Sequence, residues 1–527
     1  MTSVNREYIN CMQMNIMAAT LEAKYKEHKD DIVNLTFLIL IASALGVYLI
    51  ATTVLIAKDG VFYIERAQQF TSNPINIIKA HPPGYPFLIM VAHKCVALFA
   101  DDSSVFTWIY SAQAVTLLCR LLALIPLYFM GKLLVGGKNS FWAILILIFL
   151  PFPAKLVCDL VREWPYLLFL AMGFFFLLWG AKYGKWWAFG LVGLSSGLGY
   201  LIRYESAQLV VYGLMWVVLS LFRPKLWNVS RWKNLFSLAL LLIGFAIPAA
   251  PYMKCTGKII PPKVNYIMKS FSFNALPDKT DAPTINTVNS NYNTAEIVPR
   301  NVLKALGEIF NTIGENLMWF FMPALMIGLY YHFRDNAKRE ELFLITAFGL
   351  VNVSMMVLRY CYIQLAVSKR WSLPLITFTI FYIPVGLHII GDWLNKKGSH
   401  TKQKINIKEK RLSWFVILFL IGIGICMPKL LRPIRIEKQG YRRAANWLRE
   451  NTAPTDIIAA SDRRIAFYAE RKGLIYDKKV PKRAKYVVSM VEDKDEKPKF
   501  NRTVQEKYSV WVDRREKKKR IIIYKVL

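Results

Sequence analysis

Apolar residues in this chain gather into long unbroken runs instead of alternating every second position or recurring every third and fourth. Runs long enough to cross a bilayer lie at about 34–57, 104–130, 139–157, 163–180, 185–201, 206–222, 234–252, 306–331, 341–358, 371–391 and 411–430. Few charges fall inside them, and polar or basic stretches divide them. The pattern predicts a polytopic α-helical membrane protein of about eleven spans, counted from these runs. The stretch 86–100, PFLIMVAHKCVALFA, is also apolar, but it is short, carries His93 and Lys94, and follows a double proline.

Charge decides how that stretch is placed. With 86–100 left out of the count and a cytoplasmic N-terminus, the loops of one face hold Lys132, Lys138, Lys182, Lys185, Arg223, Lys225, Arg231, Lys233, Arg334, Lys338, Arg339 and the basic run from Lys396 to Arg411. This is the distribution that favours a cytoplasmic side. Counting 86–100 as a span would move every one of these loops outside. The stretch is therefore expected to be an in-plane or re-entrant helix on the outer face.

Three regions follow: a cytoplasmic segment 1–33, a membrane unit 34–430, and an extracytoplasmic unit 431–527. The outer face also receives the loop 58–103, the turn 158–163 and the long polar loop 253–305, read as a mobile lid or a disordered insert. Beyond residue 431 the periodicity changes. GYRRAANWLRENT reads as an amphipathic helix, DIIAAS as a strand, DRRIAFYAERKG as a helix, GLIYD and AKYVVSMV as strands, and YSVWVDRREKKKRIIIYKV as a hairpin. The tail is thus a small α/β domain.

Composition agrees with a membrane protein: 55% of residues are hydrophobic and the mean hydropathy is +0.30. The formal net charge of +33 would suggest nucleic acid in a soluble protein, but no recognition motif accompanies it, and basic loops beside anionic lipid explain it. The seven cysteines form no CxxC pair and lie in or beside apolar runs, so neither a disulfide framework nor a metal site is implied. Walker, GxGxxG, HExxH and GxSxG contexts are missing from the sequence, which leaves nucleotide, metalloprotease and hydrolase chemistry without support.

Candidate chemistry concentrates on the outer face. Asp59 directly follows the first span, where partial desolvation favours a carboxylate as a proton acceptor. Lys79 and His81 lead into the stiff turn HPPGYP, residues 81–86. The turn Cys158-Asp159-Leu160-Val161-Arg162-Glu163 brings a second set of carboxylates to the same face. Arg203, Arg359, Lys369 and Arg370 are outward cations that run against the charge bias, and an anionic ligand such as a lipid phosphate accounts for them, as does snorkelling of the side chains.

These residues, in this order, resemble the C-type glycosyltransferases, in particular the dolichyl-phosphate-mannose–protein mannosyltransferase and aminoarabinose transferase-like branch. The resemblance rests on the acid after the first span, HPPGYP, REWPYLLFLAMGFFFL, GLVGLSSGLGYLIRYES and SKRWSLPLITFTIFY, and covers about residues 35–390. It implies a polyprenyl-phosphate-linked sugar donor, an acceptor that is a lipid, glycan or protein, inverting transfer outside the cytoplasm in a cell membrane, and no bound cofactor, with a divalent metal left open. Asp59 matches the general base, and Glu163, with Asp159 as its rival, the second acid. Arg203 and Arg370, with Lys369 and Lys79, are the candidate phosphate contacts; Tyr63, His81 and Tyr85 belong to the substrate loop. Many members carry an acidic pair where this chain has Asp59-Gly60, a departure that bears on the protein-mannosyl subtype. A surface-polysaccharide polymerase or ligase is the alternative enzyme. The non-enzymatic alternatives are a transporter, against which stand the missing internal repeat and the few charges deep within spans, and a scaffold, which would have no reason to place Asp59 and Glu163 near each other.

Overall fold

The computed structural model describes residues 3–99, 104–222, 231–257, 302–335, 338–362, 367–399, 413–476, 479–492, 500–513, 515–516 and 518–527. Most of the predicted outer loop 253–305 lies outside them. The helices are α1 (Ser3–Ala51), α2 (Lys58–Phe70), α3 (Pro74–Ala80), α4 (Gly84–Val96), α5 (Val105–Val135), α6 (Gly137–Phe149), α7 (Pro151–Lys155), α8 (Glu163–Tyr183), α9 (Ala188–Tyr200), α10 (Gln208–Phe222), α11 (Arg231–Thr256), α12 (Val302–Asn316), α13 (Phe321–Asp335), α14 (Arg339–Tyr362), α15 (Leu373–Thr379), α16 (Tyr382–Ser399), α17 (Trp414–Leu431), α18 (Gln439–Asn451) and α19 (Arg463–Tyr468).

Each of the eleven predicted runs is helical, but they are not equivalent. Among the described residues seven helices are long and apolar enough to cross a bilayer, or up to nine if each of two bent pairs is one span. The bends fall between α12 and α13, at 109°, and between α15 and α16, at 55°. The runs 139–157 and 185–201 give only the 13-residue helices α6 and α9. At ~1.5 Å per residue such a helix rises about 20 Å, short of a ~30 Å hydrocarbon core. In the first case Pro151 starts a new helix after Leu150; in the second the chain leaves the helix before Arg203. The N-terminal segment is not separate from the first span either, because α1 continues through both. α4, the disputed stretch, is 13 residues long and packs on α2 and α5.

Two ends of the bundle can be told apart by their polar contacts. At one, Lys132 reaches Asp31 at 2.5 Å and Glu27 at 2.7 Å, and Tyr128 donates to Asp31. Lys182 and Lys338 line a small pocket beside Leu133 at that same end. At the other end, the amide of Val105 faces Glu470 of the C-terminal unit at 3.5 Å. That unit is a five-stranded mixed sheet in the order β2-β1-β3-β5-β4, with β1 Ile457–Ala460, β2 Lys472–Ile475, β3 Tyr486–Glu492, β4 Val504–Trp511 and β5 Lys519–Val526. β1 runs parallel to β2 and β3, whereas β5 is antiparallel to β3 and β4. The predicted tail elements are all present, and α18 and α19 pack on the sheet.

Helices α13 and α16 approach so closely that a Cβ at Gly328 would strike the carbonyl of Tyr382, and one at Gly386 the carbonyl of Ala324. Small residues let membrane helices gain contact that lipid does not offer. Gly328→Val is therefore expected to destabilise the protein by about 3 kcal/mol, the upper part of the usual overpacking range. Gly349→Ala, in α14 with open space around it, is the control expected to leave thermal unfolding in detergent unchanged.

Candidate active site

Two of the three candidate carboxylates, Asp59 and Glu163, occupy helix N-termini, where the helix dipole favours negative charge. Asp59 stands in the first turn of α2, and Glu163 opens α8. The connecting cations come from later in the chain. Arg203 precedes the 3-10 turn Tyr204–Ala207, and Arg370 precedes α15.

The structure joins them into an alternating chain of charge. Arg370 Nη1 lies 2.6 Å from Asp59 Oδ2, and its Nε lies 4.0 Å from Glu163 Oε1. Arg203 Nη1 is 3.5 Å from the same Glu163 oxygen, and its Nη2 is 3.3 Å from Glu205 Oε1. Arg359 Nη1 closes the series at 3.6 Å from Glu205 Oε1 and stacks 4.0 Å over the ring of Trp371. Arg203 likewise lies 5.1 Å over Tyr166. Exposure falls from Asp59 to Glu163, with side chains 54% exposed at Asp59, 30% at Arg370 and 6% at Glu163, and rises again to 21% at Glu205. Among the described residues, the buried atoms Glu163 Oε2, Arg203 Nε and Arg359 Nε have no hydrogen-bond partner.

The charge states follow from these neighbours. Burial pulls Arg370 down, but Glu163 and Asp59 outweigh it and hold the guanidinium above its ordinary range. Burial does the same to Arg203, and Glu205 and Glu163 again prevail. Burial raises Tyr63; Arg162 opposes this, while Glu163 and Asp59 add to it. Tyr63 thus stays a neutral phenol beside the carboxylates.

The other candidates are placed differently. Asp159 does not share the chain: its Oδ1 lies 2.5 Å from Arg435 Nη1. Lys369 pairs with Glu315 at 2.7 Å. Lys79 is exposed at the end of α3. His81 meets the edge of Phe62 at 5.3 Å, and Tyr63 meets the edge of Tyr85 at 5.0 Å. Tyr85 is buried, with its hydroxyl 2.9 Å from Thr116, and so packs the turn. HPPGYP also serves the site indirectly, because the amide of Gly84 donates to the Leu201 carbonyl at 2.8 Å, two residues before Arg203.

Gly60 explains the departure from an acidic pair. A Cβ there would come within 2.9 Å of the Leu160 Cβ and 3.0 Å of the Asp159 carbonyl oxygen. The start of α2 is pressed against the second acidic turn, and a side chain at 60 would drive them apart. Sequence reasoning missed Glu205 and Arg435. Glu205 stands two residues after Arg203 in LIRYES and was within reach as a polar cluster at a span start; Arg435 had no local signal.

Removal of Arg203 would leave the buried Glu163 and the half-buried Glu205 with weaker partners. Arg203→Ala is expected to cost about 3 kcal/mol of stability, the lower end for breaking a buried pair, because Arg370 and Arg359 remain. Thermal unfolding in detergent would show it, and Arg203→Lys is expected to restore only part, since one ammonium does not span both carboxylates.

Comparison with known proteins bears on this arrangement. Residues 80–250 match the family model described as dolichyl-phosphate-mannose-protein mannosyltransferase. The match includes HPPGYP, Glu163 and Arg203, while Asp59 and Arg370 lie outside it. No curated protein matches the chain by sequence. Among solved structures, ArnT from Cupriavidus metallidurans bound to undecaprenyl phosphate is 13% identical, with a TM-score of 0.57 over 93% of this chain and 97% of that one. The oligosaccharyltransferase AglB from Archaeoglobus fulgidus, in complex with an inhibitory peptide and a dolichol-phosphate, is 14% identical, with a TM-score of 0.51 over 87% of this chain and 69% of that one. The chain thus carries the fold of the C-type membrane glycosyltransferases and, over residues 80–250, resembles in sequence their dolichyl-phosphate-mannose-protein mannosyltransferase family.

Proposed function

We propose that this protein transfers a sugar from a polyprenyl-phosphate carrier to an acceptor at the non-cytoplasmic boundary of the membrane, by a single inverting displacement with Asp59 as base. The observation that carries the reading is the shared guanidinium of Arg370, which touches the exposed acid Asp59 on one side and the buried acid Glu163 on the other.

In the reaction, Asp59 takes the proton of the acceptor hydroxyl or amine. The acceptor atom forms a bond to the anomeric carbon as the bond from that carbon to the phosphate oxygen breaks. The electron pair leaves with the polyprenyl phosphate, whose new negative charge needs a fixed cation nearby. Arg370 and Arg203 supply it. An arriving donor phosphate competes with Asp59 for Arg370 and so frees the carboxylate when the substrate is in place. Glu163 is too buried to meet a bulky acceptor, and its role is to hold Arg370 and Arg203 charged and in position. The outer placement is supported by Lys132, Lys182 and Lys338, which gather at the opposite end of the bundle, the end where positive charge favours the cytoplasm.

Mass spectrometry of surface glycans and lipids, in cells lacking the gene and in cells complemented with wild type or Asp59→Asn, tests the proposal. The wild type is expected to restore a sugar-modified species, and Asp59→Asn to lower its rate of formation about a thousandfold, within the range of general-base catalysis, with membrane insertion unchanged. Turnover by Asp59→Asn at the wild-type rate would refute the base.

A further inference from the structure

The stretch between α1 and α2 sets the register of Asp59, and its peptide groups are bound by the C-terminal part of the chain. The amide of Val54 donates to the carbonyl of Ile434 at 3.2 Å. The carbonyl of Leu55 accepts from Arg435 Nη1 at 3.0 Å. The amide of Ile56 donates to the Tyr468 hydroxyl at 3.2 Å, and its carbonyl accepts from Arg464 Nη1 at 3.2 Å. Leu55 and Ile56 are fully buried, so water does not replace these partners. Just beyond, Lys58 faces Asp462 at 3.7 Å and Glu65 faces Arg463 at 3.6 Å.

Arg435 does more than bind one carbonyl. The Nη1 that donates to Leu55 also reaches Asp159 Oδ1 at 2.5 Å, so one nitrogen joins the approach to Asp59 with the turn that leads into Glu163. Its backbone is in the left-handed region at φ 58°, a conformation a non-glycine residue keeps only when its surroundings hold it there. Gly60 provides the matching closeness on the other side of that joint.

We propose that Arg435 is a positioning residue for the transfer step, fixing the two outer acidic segments in a single register so that Asp59 meets the acceptor at the correct distance from the sugar. This rests on the reading of Asp59 as base. Arg435 touches no reacting atom; it acts through Leu55 and Asp159.

The test uses the full chain. Arg435→Gly removes the guanidinium and keeps the left-handed backbone at no steric cost. Its kcat per folded molecule is expected to fall about tens-fold to a hundredfold, the usual consequence of a displacement of about 1 Å, with the donor KM within about twofold of wild type. Asp159→Asn is expected to lose a similar factor, and the double variant little more than either single one, because both break the same joint. Arg435→Lys is expected to recover part of the loss. A kcat for Arg435→Gly that matches wild type once counted per folded molecule overturns the proposal, as does full additivity of the two variants. With Asp59→Asn run alongside, an inactive Asp59→Asn beside a wild-type-like Arg435→Gly overturns the positioning role alone. An active Asp59→Asn overturns the base, and the positioning role with it.

Discussion

Arg370 is the group on which the site depends. Its guanidinium stands between two carboxylates from different parts of the chain, one exposed and one buried, and without it neither acid has reason to approach the other. Glu163 carries a further constraint. A buried carboxylate must be paired, and it is served by Arg203 as well as Arg370. Arg203 in turn needs Glu205, and Glu205 is shared with Arg359. The six groups form a series in which every charge except the two terminal ones has a partner on each side. Such a series tolerates burial of its middle members, Glu163 and Arg203, while it leaves Asp59 open to solvent.

Backbone packing makes that series possible. α2 and α8 both direct their N-termini at the site, and the absence of a side chain at Gly60 lets them come together. The C-terminal unit then occupies the backbone groups of the short link before α2. Its burial against the membrane unit is polar as well as apolar: Arg464 is buried, bonded to Asp462, and donates to the Ile56 carbonyl. A domain attached only by the tether at the end of α17 would have no need of such contacts.

Much of this was legible in the chain, for a physical reason. Helices in lipid need long apolar runs, so each of the seven to nine candidate spans among the described residues appears as a run, and the strands and helices of the tail announce themselves by a change of period. The bends between α12 and α13 and between α15 and α16 did not appear, since hydropathy records composition and not direction. The short helices α6 and α9 were read too long because apolar residues continue past their ends into turns. At the site, Asp59, Glu163, Arg203 and Arg370 were found because charge at the end of a span is conspicuous. Their pairing was not, nor was the assignment of Asp159 to Arg435, which is 276 positions away and belongs to a different unit. Lys369 shows the converse: beside Arg370 in sequence, it turns to Glu315.

The gradient of exposure also argues for which acid does which work. A base must reach a solvent-borne acceptor, and a group that steadies a cation must not be neutralised by one. Asp59, more than half exposed, satisfies the first requirement; Glu163, almost wholly covered and flanked by two guanidiniums, satisfies the second. Exchanging the roles would place the proton acceptor on a side chain only 6% exposed and would neutralise the carboxylate that Arg370 and Arg203 share while a phosphate departs. On the proposed reading the chemistry starts at exposed Asp59, and the buried carboxylate of Glu163 keeps the guanidiniums charged and fixed before any substrate arrives.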